Sequence, residues 1–162
     1  MGWCNNLWDD LCKRVWAEKV YIPQVSRELH SCGQSRHAFA LALRDSTRTA
    51  ITLEELTSIE FSFRFKELAG KYWTDRDPYW QSNSPLRIRF TAEGLVEGFP
   101  WESLEMRWRF VDETGTTVMG SGSFMRVSVN RRDVPTYMVS RHGNWGFIIQ
   151  VFELYSFGYL SL

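Results

Sequence analysis

The sequence predicts an α+β fold: short N-terminal helices followed by a mostly antiparallel β-sheet, barrel- or sandwich-like. Three observations carry this. Apolar residues recur at helical spacing up to about residue 58, and beyond it they alternate with polar ones. The alternation returns in three stretches, "IEFSFRF", "LRIRF" and "LEMRWRF", as in strands with one buried and one wet face. Turn signals bearing Gly, Asp and Asn separate these stretches: "AEG", "DETG", "GSGS" and "NRRD".

In order along the chain, residues 3–19 place Leu7, Leu11 and Val15 at i, i+4 and i+8 with Trp8, Cys12 and Trp16 alongside. Asp9, Asp10, Lys13, Arg14 and Glu18 fill the other positions, which predicts a helix with one wide apolar face, ended by Pro23. "ELHSCGQSRHAF" reads as a polar linker, and a second helix is expected within "QSRHAFALALRDSTRTA", where Ala38, Leu41 and Ala42 mark one face. "ITLEELTS" predicts a short helix capped by Thr52, with Glu54 and Glu55 in its first turn. The three alternating stretches follow as strands. "MRVSV" and "VPTYMVS" form a hairpin around "NRRD", and "NWGFIIQ" adds a further strand. The chain accordingly divides into a first helix over 1–22, a helical linker over 23–57 and an antiparallel β domain over 58–162.

Composition excludes several function classes. Formal net charge is zero, so no basic field draws the whole chain to nucleic acid. Cys4, Cys12 and Cys32 are an odd number without a CxxC pair, which suits reduced thiols in the cytoplasm or nucleus. No apolar run reaches membrane-spanning length and no signal-peptide pattern opens the chain. His30, Cys32 and His37 lack the paired spacing of a zinc site. Asp75 and Asp77 in "TDRDP" read as a turn before Pro78, and "GSGS" lacks the spacing of a phosphate cradle. No nucleophile motif occurs, so no enzymatic activity, catalytic residue, metal or cofactor is expected.

Recognition chemistry is better represented. Eight Trp in 162 residues is a high count, and "KYWTDRDPYWQ" sets Tyr72, Trp73, Tyr79 and Trp80 in a stretch too polar and turn-rich for a buried strand. "GFPWES" adds Phe99 and Trp101, and "RHGNWG" adds Arg141, His142 and Trp145. Aromatics on loops of a rigid sheet either form a protein-binding surface or plug one end of a barrel. Arg64, Arg87, Arg89, Arg107 and Arg109 fall on the polar faces of the strands. They form either a basic stripe for an acidic partner or a solvated face paired with neighbouring glutamates. A rival reading is a small apolar-ligand carrier whose barrel interior is lined by Phe61, Phe63, Trp108 and Phe110.

The segment "LWDDLCKRVWAEKVYIP" resembles the final helix of plant F-box proteins, with Leu7, Trp8, Leu11, Cys12 and Trp16 in the matching places. "RFKELAGKYWTDRDPYW", "RIRFTAEG" and "LEMRWRFV" are similar to the region downstream of the F-box in some plant members. The resemblance implies a substrate-adaptor component of a cullin ubiquitin ligase, with a Skp-type adaptor and a cullin as partners and an unidentified protein as substrate. It implies an adaptor side at Leu7, Trp8, Leu11 and Trp16. Substrate contact is expected at Trp73, Tyr79, Trp80 and Trp101 with Arg87 and Arg89. The earlier F-box helices are absent, so the expectation is a truncated form in which adaptor binding is weak or lost. Equally, Trp8 and Trp16 fit the core of any N-terminal helix packed on a sheet, and the two roles are compatible.

Overall fold

The computed structural model describes residues 3–63, 86–98 and 105–151. In chain order its elements are α1 (Trp3–Trp16), α2 (Gln24–Ser31), α3 (Ser35–Asp45), β1 (Ile51–Thr52), α4 (Leu53–Ser58), β2 (Glu60–Phe63), β3 (Leu86–Phe90), β4 (Val96–Glu97), β5 (Met106–Val111), β6 (Ser121–Gly122), β7 (Phe124–Val129), β8 (Arg132–Arg141) and β9 (Phe147–Val151). The order is the α+β one read from the change of hydrophobic period. The chain divides into two compact units, Met1–Ile51 with Met138–Gln150, and Thr52–Tyr137 with Val151–Leu162.

The first unit is built on α1, α2 and α3. No Gly or Pro interrupts α1, and Lys13 and Arg14 in its last turn oppose the negative end of the helix dipole. It stops at Trp16, short of the expected residue 19, because the closing bonds tighten to three-residue spacing at Glu18 and Lys19. Cys12 is fully buried, and its thiol donates to the Ser35 carbonyl at 3.4 Å, joining α1 to the start of α3. Helix α2 corrects the polar-linker expectation over residues 28–31. Its inward positions are Ser26, buried, and Leu29 and His30, half-buried, so polar residues hid the helical period. Gly33, at φ 77, reverses the chain after α2, with the Gln34 amide donating to the Leu29 carbonyl at 2.9 Å. In α3, Ala38 and Ala42 are fully buried, and their small side chains let neighbouring helices approach closely.

The last residues of β8 and most of β9 belong to this same unit. Their hairpin turn places Trp145, at φ 65 and 8% exposed, in a core with Ile22 and Ala42, against which Val15 and Trp16 pack. The Val20 amide donates to the Asn144 carbonyl at 3.0 Å, and Lys19 Nζ to the Gly143 carbonyl at 3.1 Å. Two strands and a helical layer thus share one core, with the Trp145 indole as its wedge.

The second unit begins with the expected cap. Thr52 Oγ1 accepts from the Glu55 amide at 3.2 Å while the Glu55 carboxylate accepts from the Thr52 amide at 2.9 Å, a reciprocal capping box. Strands β2, β3 and β4 are antiparallel neighbours, with Glu60 opposite Arg89 and Phe61 opposite Ile88. β5 pairs antiparallel with β7, placing Trp108 opposite Val127 and Phe110 opposite Met125. An antiparallel bridge from Leu95 to Arg107, with the Trp108 amide donating to the Gly94 carbonyl at 2.8 Å, connects the two sets. Asn130 and Arg131, at φ 49 and 67, make the two-residue turn from β7 to β8, the hairpin expected around "NRRD". Within the "GSGS" turn signal, Ser121 and Gly122 form β6. Among the described strands no sheet closes into a barrel.

Candidate functional site

On α1 the four residues of the expected adaptor side separate into two kinds. Trp8 packs on Phe39 with ring centroids 5.9 Å apart, and the Arg36 guanidinium lies over its ring at 5.8 Å. Trp16 packs on the His30 ring at 5.3 Å and on the Trp145 core. Leu7 is 64% exposed, and half-buried Leu11 lines a shallow depression of roughly 400 Å³ with Arg14, Val15, Glu18 and Lys19. Trp8 and Trp16 thus pack on neighbouring rings, and Leu7 stays at the surface.

Electrostatics tie α1 to α2. The Asp9 carboxylate receives Lys13 Nζ at 2.6 Å and His30 Nε2 at 2.8 Å. The Lys13 hydrogen bond is the main reason its pKa lies below the usual aspartate value, with the His30 imidazole adding to it. Burial pushes the Cys12 thiol up, which keeps it protonated and unreactive, whereas Cys32 is exposed. His30, Cys32 and His37 do not converge, and no group of three metal-ligating side chains occurs among the described residues.

The "RHGNWG" segment is corrected as a recognition surface. Trp145 is buried in the core of the first unit, and the Arg141 side chain is only 5% exposed. Arg141 Nη2 reaches Asp45 Oδ2 at 3.1 Å, and its guanidinium lies 4.1 Å from the Phe147 ring centroid and 5.1 Å from that of Tyr21. Its Nε and Nη1 are buried without a hydrogen-bond partner, and burial lowers its pKa against the opposing pull of Asp45. Asp45 also receives Arg48 Nη2 at 2.8 Å. Only His142 of this segment remains exposed among the three residues named for recognition.

On the second unit, Arg87 and Arg89 are exposed on β3, and both reach the Glu60 carboxylate, at 2.9 and 2.8 Å. Hydrogen bonds from Arg87 first and then Arg89 hold the Glu60 carboxyl below its usual range. Arg107 pairs with Glu105, and Arg109 stands opposite Arg126 in the β5–β7 register. Three of the expected stripe residues are thus interleaved with glutamates. Of the expected carrier lining, Trp108 packs on Phe110 and Phe90 bridges Phe61 to Trp108, with centroids 5.0–5.9 Å apart, while the Phe63 side chain lies outside the description. Trp108 Nε1 donates to the Thr91 carbonyl at 3.0 Å. Trp73, Tyr79, Trp80 and Trp101 lie outside the described residues, as do Arg64, Tyr72, Asp75, Asp77 and Phe99.

One feature has no counterpart in the motif reading. Gly33, Gln34, Ser35, Arg36, His37 and Ala40 line an open depression of roughly 520 Å³ at the N-terminus of α3. The only sequence sign of it is Arg36 and His37 in a first turn that carries no acid.

Helices completed by a β-hairpin in one unit, and antiparallel strands in the other, define a mixed α+β protein. The chain matches no family model, no curated protein and no solved structure. Among the described residues no helix is long and apolar enough to cross a membrane.

Proposed function

We propose that this chain is a protein-recognition, substrate-adaptor part of an F-box-like component of a cullin ubiquitin ligase, working in the cytoplasm or nucleus. The observation that carries the reading is the surface of α1. The F-box-like pattern falls on a helix that keeps Leu7 exposed and buries Cys12, with Leu11, Trp8 and Trp16 half-buried and the two indoles packed on Phe39 and His30. Apolar side chains left on a helix packed at its other face suit a groove-forming partner, here the Skp-type adaptor. Substrate contact is assigned to Trp73, Tyr79, Trp80 and Trp101 with Arg87 and Arg89. The role supplies proximity, and ubiquitin transfer is performed by other subunits.

The test is co-purification with a Skp-type adaptor and cullin from plant extract. The parent chain is expected to recover both weakly, in keeping with the truncated form the resemblance implies, and Leu7→Ala/Leu11→Ala is expected to lose them while retaining the parent's circular dichroism. Failure of the parent, or equal recovery by the double variant, refutes the reading. Trp16→Ala is unsuitable as the diagnostic variant because Trp16 packs on the core that holds Trp145.

A further inference from the structure

We propose that α1 pairs with α1 of a second copy of this chain, antiparallel and related by a two-fold axis. The 14-residue helix spans about 21 Å, enough for one short helix–helix contact. Leu11, Arg14, Val15 and Glu18 stand at i, i+3, i+4 and i+7 and, with Lys19, line the depression of roughly 400 Å³. Four residues at that spacing form the hole that receives one apolar side chain from a facing helix. Leu7 stands one turn before Leu11 on the same stripe, is 64% exposed and is not among the lining residues. One face thus carries both a knob and a hole, as a self-complementary contact requires.

Charge favours a second copy over an unlike partner. Asp9 is paired with Lys13 at 2.6 Å, whereas Asp10, Arg14 and Glu18 are exposed and enter no ion pair among the described residues. Asp10 acts on Lys13 only through its field. With Leu7 of one copy in the hole of the other, Asp10 lies about 4 Å along the axis from the other copy's Arg14, at 1.5 Å per residue. The two-fold axis repeats that pair. The same register brings Glu18 to the first turn of the other helix, which holds no acid and carries the positive end of its dipole. A uniformly acidic or basic partner would leave part of this pattern opposed by like charge.

The stripe is held facing outward before any contact forms. Trp8 on Phe39, Trp16 on His30 and the Cys12 thiol on the Ser35 carbonyl fix the rotation of α1 about its axis. Little ordering is therefore left to association, which lowers its cost. The contact is small, which puts the pair in the weak, transient class. It forms on the face assigned above to the adaptor. Where that reading holds, pairing covers Leu7 and Leu11 and excludes the adaptor, a regulation that rests on the reading. The pairing itself needs only the geometry and charges of α1.

The test is sedimentation equilibrium of the full chain alone at about 10–500 µM, the range a weak contact calls for. Reductant is present because Cys32 is exposed. The expected result is a reversible monomer–dimer equilibrium that weakens with added salt. Asp10→Lys and Arg14→Glu lie at exposed positions, and each sets like charges together twice. Each is expected to weaken association about tenfold or more. Leu7→Ala is expected to weaken it about tenfold while keeping the parent's circular dichroism. An equimolar mixture of the two charge variants restores both ion pairs, as does the double variant Asp10→Lys/Arg14→Glu. Both are expected to associate with the parent's affinity. A parent that stays monomeric across this range, charge variants that associate as the parent does, or a mixture as weak as its components overturns the proposal. No adaptor is present in this experiment, so that result leaves the adaptor reading standing, and failure to recover the adaptor leaves the dimer standing.

Discussion

Removing the Asp45 carboxylate leaves Arg141 as a buried cation with no ion-pair partner. Its side chain is 5% exposed, two of its nitrogens already lack hydrogen bonds, and Asp45 supplies the remaining contact at 3.1 Å. Truncating one partner of a buried pair costs about 3–5 kcal/mol. The Tyr21 and Phe147 rings, at 5.1 and 4.1 Å, still stabilise the cation through their faces. Asp45→Ala is therefore expected at the lower end, about 3 kcal/mol. Arg141→Met replaces the guanidinium by an apolar chain of similar reach and removes the burial problem together with the pair. It is expected within about 1 kcal/mol of the parent. The double variant should then be more stable than Asp45→Ala alone, a coupling that two independent contacts would not show. Urea unfolding followed by tryptophan fluorescence reads all three, since Trp16 and Trp145 report on this core. With an m-value of about 1–3 kcal/mol/M, Asp45→Ala should lower the midpoint by about 1 M or more. If Arg141→Met costs as much as Asp45→Ala, the guanidinium stabilises the unit by its own contacts, and the reasoning from burial is refuted.

Two further outcomes concern the second unit. Arg131 stands at φ 67, a conformation that costs a non-glycine residue about 1–2 kcal/mol, so Arg131→Gly is expected to raise stability by about 0.5–1 kcal/mol after its extra unfolded-state entropy; a lower urea midpoint would contradict the turn assignment. Glu60 has its carboxyl depressed below 4.5 by Arg87 and Arg89, so the stability it contributes is present above that value and lost as pH falls through its lower folded value. Glu60→Gln should lose less stability than the parent between about pH 6 and pH 3, and identical acid slopes would rule out the fork seen here.

The strands were legible because alternation is a local signal. "LRIRF" coincides with β3, and "LEMRWRF" differs from β5 by a residue or two at its ends. The Thr52 cap was legible for the same reason, its partner lying three residues away. Helix α2 was obscured by the polar residues on its inward side. Arg141 and Trp145 looked like loop residues among Gly143, Asn144 and Gly146, because their burial depends on chain far away: Lys19 and Gly143 are 124 residues apart. The Glu60 fork on Arg87 and Arg89 needed the strand register, which alternation alone does not supply.

Synthesis on the ribosome gives the discontinuity of the first unit a cost in time. Its helices emerge early, but the indole that fills their core arrives after the whole intervening chain has been made. The 124 residues between Lys19 and Gly143 take about 6–25 s at 5–20 residues per second. During that interval Val15, Trp16, Ile22 and Ala42 have no wedge between them, and an apolar seat stands open on the nascent chain. Helix formation is complete within microseconds, so the delay is set by translation and not by folding. The unit is therefore completed only by its last-made segment, and a chain stalled before Trp145 carries its helical segments without the core that joins them.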